Sequence, residues 1–432
     1  MSRIWQLIRP YIEKANFFTI LVIIFLMPMF RKAVPPVIGF WLLTWLLEGK
    51  FFTRFRLPQN KIAFISLLGF YILCALSLFY SENMESGFFD LEVKLTMFIF
   101  PFVIIGSNYL YKKYFHIILL QFVFANLIAS LACLIIAINS SFHFGNNGLE
   151  FNPMVYVTDP GLEGYSNAFF YFVFSKFMHS SYFAMYLCFS ILILFFFIDN
   201  YSKKWIKYTA IALIIFFLFI IYLLSSRAGL ISAAVVLLGS IIGYLRNKKW
   251  TFNILLLAIT LIFAIVALKF NGRLNYGVEQ IKNTSVNKEE KTISTSNDRL
   301  LMWINSWEII KANFLVGTGV GDVKDELIKS YPKHELTDAK KHALNAHNQF
   351  IETAIAIGLI GLIFLLMIFF LPFINALKNK DTLLALLIIV LGINFLFESM
   401  LNTQAGVIFF AFFYSLLVFI PKEERGNLTE KS

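Results

Sequence analysis

At 432 residues the chain has the length of two or three soluble domains, yet 59% of its residues are apolar, 18% aromatic and only 15% charged. An ordinary globular domain carries about a quarter charged residues. The apolar residues come in repeated long runs and the mean hydropathy is +0.73, which excludes a soluble enzyme, a fibrous protein and a disordered chain together and describes a membrane protein. The formal net charge of +11 gives no case for nucleic acid. Lys and Arg stand in short clusters between apolar runs, where they orient a polytopic protein.

A window of about 20 residues, the length that crosses a bilayer as a helix, predicts twelve spans. They fall near 16–30, 34–48, 61–80, 91–111, 115–138 and 178–198, then 207–224, 228–245, 251–270, 348–374, 382–400 and 404–420. The first follows Arg3, Arg9 and Lys14 as a signal peptide would, but Arg31 and Lys32 follow it in place of a small-residue cleavage site, so it is read as a retained span. Cys74, Cys133 and Cys188 all fall inside apolar runs, without a CxxC pair, and read as small core residues.

Basic residues near span ends are retained on the cytoplasmic side. One set of connections holds Arg3/Arg9/Lys14, Lys50/Arg54/Arg56/Lys61, Lys112/Lys113, Lys203/Lys204/Lys207, Arg246/Lys248/Lys249, Lys378/Lys380 and Lys422/Arg425/Lys431, which is 20 of the 37 basic residues. The opposite set holds Glu82/Glu85/Asp90/Glu92, the segment 139–177, the turn at Ser225 to Gly229 and the polar stretch 271–347, with Arg31 and Lys32 as the exception. Both termini are therefore expected in the cytoplasm and all large loops outside. The 271–347 stretch is far longer than a connection needs, so function is expected there. Within it, Asn271 to Ser296 is polar, whereas Asp298 to Ala312 places Leu300, Leu301, Ile304, Trp307 and Ile310 at helical spacing. An amphipathic helix against the membrane or over the bundle is expected, with Trp303 and Trp307 at the interface.

Three residues of the outer segments suit chemistry on an anion. Arg227, in the run Leu223 to Gly229, stands at a membrane boundary with little loop around it; such an arginine either snorkels to the headgroups or holds an anion. Arg299 follows Ser296-Asn297-Asp298, a helix start in which Asn297 or Asp298 caps the helix and Arg299 occupies its first turn. It is either a solvated loop arginine or half of a phosphate site made with the free N–H groups of that terminus. His347 precedes a span directly; it is either an idle interfacial histidine or a general base, kept neutral by nearby arginines. Glu398 and Asn402 are expected one helical turn apart, facing inward, in a structural or a substrate-positioning role. His179 reads as structural.

No metal site is expected. His334, His342 and His347 fit neither HExxH nor a Cys/His zinc pattern. Gly317-Thr318-Gly319-Val320-Gly321 lacks the Lys-Ser/Thr and the sheet context of a phosphate loop and reads as a tight turn, and the internal Lys324-Asp325-Glu326-Leu327 is no retention signal.

Taken in order, SSRAGL at 225–230, NDRLLMWINSWEIIKANFLVGTGVG at 297–321 and HNQFIETAIAIGLIGL at 347–362 resemble the O-antigen ligase and polymerase superfamily of bacterial inner-membrane glycosyltransferases. ESMLNTQAGVIFFAFF near the end and HSSY at 179–182 add to the resemblance. It implies an all-α polytopic membrane protein divided into N-terminal transmembrane helices (1–204), a ligase-like transmembrane region with its periplasmic loop (205–421, loop 271–347) and a cytoplasmic tail (422–432). It also implies an undecaprenyl-diphosphate-linked glycan as donor, and transfer to an acceptor hydroxyl on the periplasmic side without a cofactor, metal or nucleotide. Carried over by position, Arg227 and Arg299 bind the diphosphate and His347 activates the acceptor or assists the departing diphosphate; Asn348, Glu398 and Asn402 are expected at the substrate. Within the superfamily the ligase reading, with the lipid A core of lipopolysaccharide as acceptor, is preferred to a polymerase, whose acceptor is a second lipid-linked glycan. A transporter of lipid-linked sugars is the rival from another class, disfavoured because no half-to-half repeat is apparent and the candidate residues cluster on one face.

Overall fold

The computed structural model describes residues 3–49, 55, 57–145, 148–157, 164–246, 295–331 and 344–425. The expected span 251–270, the polar stretch from Asn271 up to residue 294, and His334 and His342 lie outside the described residues.

The described chain is α-helical, as an apolar chain must be where lipid leaves the backbone no outside hydrogen-bond partner. The first half supplies α1 (Arg3–Leu26), α2 (Val34–Glu48), α3 (Lys61–Ser77), α4 (Met84–Lys94), α5 (Thr96–Gly106) and α6 (Asn108–Ser141). After a short turn of helix, α7 (Tyr171–Phe174), come α8 (Ser180–Asn200), α9 (Lys204–Leu224), α10 (Arg227–Arg246), α11 (Thr295–Ala312), α12 (Val323–Ser330), α13 (Gln349–Lys378), α14 (Thr382–Phe397) and α15 (Gln404–Phe419). Among the described residues five helices are long and apolar enough to cross a membrane, at 61–80, 108–141, 180–200, 204–224 and 349–378. The segments 227–243, 382–397 and 404–419 form shorter apolar helices. Helices thus coincide with most of the expected spans, although a count of twelve does not follow from them.

One expected span dissolves. Residues 91–111 are divided among the end of α4, the whole of α5 and the start of α6. At about 1.5 Å per residue α5 is roughly half as long as the hydrocarbon layer is thick, and Lys94, buried at the end of α4, pairs with Asp90 one turn earlier.

The core sits around α8 and α15, whose residues are almost all buried. Aromatic rings join them to α6 and to each other: Phe122 of α6 meets Phe413 with ring centroids 4.6 Å apart, and Tyr186 of α8 stacks on Phe409 of α15 at 4.7 Å. Gly229 lets α10 approach α8, since a Cβ there would lie 2.3 Å from that of Ala184. Between α6 and α7, in a segment where no strand was expected, two antiparallel hairpins form: β1 (Phe142–Gly145) pairs with β2 (Gly148–Phe151), and β3 (Met154–Val157) with β4 (Gly164–Asn167).

The charge clusters sort to two ends. Lys112 pairs with Glu424, Arg425 with Asp381 at 2.7 Å, and the Lys422 Nζ donates to the Lys380 carbonyl at 3.0 Å. Three of the basic connections expected on one side are therefore together. At the other end the backbone N–H groups of Glu82 and Asn83 donate to the two carboxylate oxygens of Asp322, each at 2.8 Å, tying the loop after α3 to the segment before α12.

α11 forms where the pattern predicts, but it turns a different face inward. Met302, Asn305, Ser306, Ile309 and Ile310 are buried, while Leu300, Ile304 and Trp307 of the expected apolar stripe are exposed. Asn305 and Ser306 tolerate burial because each has a partner: the amide of Asn305 donates to the Ser330 hydroxyl at 2.6 Å and the Ser306 hydroxyl to the Met302 carbonyl at 2.7 Å.

α13 is broken at Ile357 and Gly358, and the glycine-rich segment repairs the break. Thr318 N–H donates to the Ile355 carbonyl at 2.8 Å and Gly319 N–H to that of Ala356 at 2.9 Å. Leu359 N–H in turn donates to the Phe314 carbonyl at 2.9 Å. Backbone groups that lost their helical partners are thereby satisfied by a neighbouring strand of chain. Two glycines permit this approach. Gly358 has φ +61, and a Cβ there would lie 2.4 Å from the Leu315 carbonyl; Gly317 has φ +75, with Ala356 backbone 2.5 Å from its missing Cβ. Beyond the break, Leu359 to Lys378 gives about 30 Å of helix, one hydrocarbon thickness, so Gln349 to Ala356 and His347 before them belong at the membrane boundary. Gly358→Ala is expected to cost at least about 1 kcal/mol of stability through positive φ and backbone overlap, read as a lowered thermal midpoint of the detergent-purified protein.

Candidate functional site

α9 ends on Ser225, whose φ of +48 reverses the chain within two residues. The Ser226 hydroxyl accepts the Gly229 N–H at 3.2 Å, capping α10, and Arg227 is the first residue of that helix. Arg227 lines an open cleft together with Tyr171, Ser181, Ser226, Arg299 and Glu398. Two arginines 72 positions apart in sequence thus face one space.

Arg299 reaches the cleft differently from the expectation. α11 begins at Thr295, so Arg299 lies beyond the first turn and away from the free N–H groups of the helix terminus. Its guanidinium turns instead to the C-terminal end of α14, donating from Nη1 to the Phe397 carbonyl at 3.2 Å and lying 3.5 Å from Glu398 Oε1 through Nη2. A cation at the carbonyl end of a helix meets the favourable end of the helix dipole.

His347 has φ +47, a conformation a non-glycine residue adopts only when its surroundings impose it. Its N–H donates to Asn345 Oδ1 at 3.0 Å, and the preceding Ala346 carbonyl accepts the Trp303 indole N–H at 2.9 Å. Trp303, expected as an interface residue, therefore anchors the histidine loop. The imidazole Nδ1 lies 3.1 Å from Glu398 Oε2. A carboxylate only accepts, so Nδ1 carries the proton of that bond and the neutral ring keeps the lone pair on Nε2 for another group.

Glu398 is the meeting point. Oε2 faces His347, whereas Oε1 faces Arg299 and accepts the Ser181 hydroxyl at 3.1 Å; Ser181 in turn accepts from the Ser226 hydroxyl at 3.3 Å. Burial alone would raise its carboxyl, but the hydrogen bond from His347 and the surrounding His179, His347 and Arg299 outweigh burial and hold it below the ordinary carboxylate range. Its contribution to stability is therefore complete above the ordinary carboxylate pKa, about 4.3, and lost as pH falls through its lower value. Acid titration of the thermal midpoint should show this loss at low pH, and Glu398→Gln should flatten it.

Of the other expected residues, Asn348 is 5% exposed and caps α13, its Oδ1 accepting the Phe350 and Ile351 N–H groups at 2.9 and 3.1 Å. His179 caps α8 by accepting the Ser181 N–H at 3.4 Å. Glu398 and Asn402 do not share a helical turn. α14 stops at Phe397, Glu398 is extended and Met400–Asn402 is a separate 3-10 turn. Asn402 instead donates to Glu352 Oε1 at 2.8 Å.

Glu352, Ser181 and Ser226 also take part in this hydrogen-bond network, and the motifs that contain them did not single them out. An acid five positions beyond His347 in an apolar run is itself a signal, since a carboxylate in a membrane helix needs partners. The serines carry no such mark. Among the described residues no group of three or more His, Cys, Asp or Glu side chains is placed to hold a metal ion.

Residues 212–366 match the family described as O-antigen ligase, and comparison with curated proteins finds no match. The matched segment, a little over a third of the chain, carries Arg227, Arg299 and His347, and supports the resemblance of this chain to the O-antigen ligase and polymerase superfamily.

Proposed function

We propose that the protein is a membrane glycosyltransferase that moves a glycan from an undecaprenyl-diphosphate donor to an acceptor hydroxyl on the periplasmic face of the inner membrane, as a ligase with the lipid A core as acceptor. The observation that carries this reading is the contact of one carboxylate, Glu398, with both His347 at 3.1 Å and Arg299 at 3.5 Å, beside a cleft that Arg227 also lines. Two anion holders then line one cleft, and the base contacts a carboxylate that lines it with them.

In this mechanism the two guanidiniums bind the donor diphosphate, bidentate hydrogen bonding being their natural use. The acceptor hydroxyl gives its proton to His347 Nε2 while its oxygen attacks the anomeric carbon from the face opposite the diphosphate. The new glycosidic C–O bond forms as the bond to the diphosphate breaks, the configuration inverts, and the leaving group departs with the electron pair. Arg227 and Arg299 stabilise the charge that develops on it, in an environment where fixed donors are worth more than in water. Glu398 holds the His347 ring in the tautomer that accepts at Nε2 and stabilises it once protonated. Its contact with Arg299 keeps that guanidinium at the cleft.

Arg227→Ala and Arg299→Ala are each expected to lower transfer by about 10²-fold or more while the protein inserts in the membrane at normal levels; full activity in either variant would remove the diphosphate assignment. Treatment with EDTA is expected to leave the rate unchanged, because the guanidiniums perform the charge neutralisation; inhibition reversed by a divalent ion would reassign that task. In a native-type host, His347→Ala is expected to leave polymer on undecaprenyl diphosphate and the lipid A core bare on a gel of extracted lipopolysaccharide and lipid-linked glycan. A core carrying single repeat units would make the protein a polymerase, and substrate movement without covalent transfer would make it a transporter.

A further inference from the structure

We infer that Glu352 is a positioning residue for His347: it fastens the loop that carries the histidine to the loop that carries Glu398, and so sets the contact between them. The inference rests on the reading of His347 as the base that accepts the acceptor proton.

Glu352 lies in the first turn of α13 and is 6% exposed. Its two oxygens reach two different segments. Oε2 accepts the backbone N–H of Ala346, the residue before His347, at 3.2 Å, and the Ser399 hydroxyl, from the residue after Glu398, at 3.3 Å. Oε1 accepts the Asn402 amide at 2.8 Å. A neighbouring clasp completes the join, for Gln349 Oε1 accepts the Leu401 N–H at 2.7 Å.

This arrangement answers a problem the two loops pose. His347 sits at positive φ, and Glu398 is in extended backbone beyond the end of α14, so neither is held by a regular element. A flexible join between them would let the imidazole leave the carboxylate. Glu352 supplies a fixed point from α13, and burial strengthens each of its bonds. Hydrogen bonds to an ionised group are also about twice as strong as neutral ones.

Behind Glu352 is a small cavity of mixed lining that it shares with Lys94, Asp90 and Asn402. Lys94 and Asp90 form their own ion pair, so the cavity wall carries charge of both signs next to a buried carboxylate. Glu352 itself touches neither the cleft nor the atoms of His347, and it acts through the backbone of the residues on either side.

The test compares Glu352→Ala, Glu352→Gln, Glu398→Gln, His347→Ala and Gly358→Ala in the full chain purified in detergent, assayed with the lipid-linked donor and acceptor isolated from a native-type host. Positioning predicts that Glu352→Ala lowers kcat by about 10²-fold, the scale of a misplacement near 1 Å, with little change in KM. It further predicts that the acid limb of the pH–rate profile moves to lower pH, the direction in which separating an imidazole from a carboxylate acts, and that Glu398→Gln moves it the same way. Glu352→Gln keeps one carbonyl acceptor but sets its NH2 either against the Asn402 amide or against the Ala346 N–H and Ser399 hydroxyl, so kcat should be intermediate with the limb displaced. Gly358→Ala should lower the thermal midpoint while leaving the limb in place, which separates positioning from loss of stability. If Glu352→Ala does not fold, Glu352→Gln decides. A wild-type kcat and pH profile in the folded Glu352 variant, with His347→Ala inactive, overturns the inference alone; full activity in His347→Ala overturns the reading on which it rests.

Discussion

Buried carboxylates at the end of a helical bundle are expensive unless every oxygen is engaged, and one end of this protein is organised around two that are. Glu398 takes a histidine on one oxygen and a serine and an arginine on the other. Glu352 takes a backbone N–H, a hydroxyl and an amide from two loops. Because each carboxylate needs several donors at once, elements distant in sequence must converge on it. Removing one donor leaves charge uncompensated in a site of low dielectric, which is why the arrangement acts as a unit.

The helices set the stage on which this convergence occurs. The Phe-rich seam of α6, α8 and α15 fixes the centre of the bundle, and close packing at Gly229 brings the start of α10, with Arg227, against α8, which presents Ser181. On the other side of the site α11 carries both Arg299 and Trp303, so one helix delivers a guanidinium to the cleft and an anchor to the histidine loop. The break in α13 belongs to the same construction. By pairing with Phe314 to Gly319 it locks the segment after α11 to the helix that begins just past His347.

The chemistry assigned to the site draws on the same economy. In the proposed reaction the leaving group is a diphosphate, a good one, so the protein would need to hold it, to orient an acceptor and to take one proton. Guanidiniums suit the first because their donors are planar and permanently charged. An imidazole backed by a carboxylate suits the last because its tautomer is defined. The site therefore has more investment in holding its own groups in place than in reactive side chains.

The amino-acid sequence by itself determined that this is a helical membrane protein, where most helices lie, and which segments carry Arg227, Arg299 and His347. These are local properties: apolar runs, breaks at polar clusters, and short motifs in a set order. It also marked Glu398 and Asn402 as inward-facing, though not their partners. Only the tertiary structure decided that Glu398 meets His347 across 51 residues and Ser181 across 217, that Asn402 serves Glu352, and that Asn348 is a cap. It alone decided which face of α11 turns inward, because Leu300, Ile304 and Trp307 are as apolar as the residues that are buried, and the partners of Asn305 and Ser306 lie outside the local pattern. Periodicity records which residues share a face, whereas the choice among faces, and the pairing of charges across the chain, depends on what the other helices present.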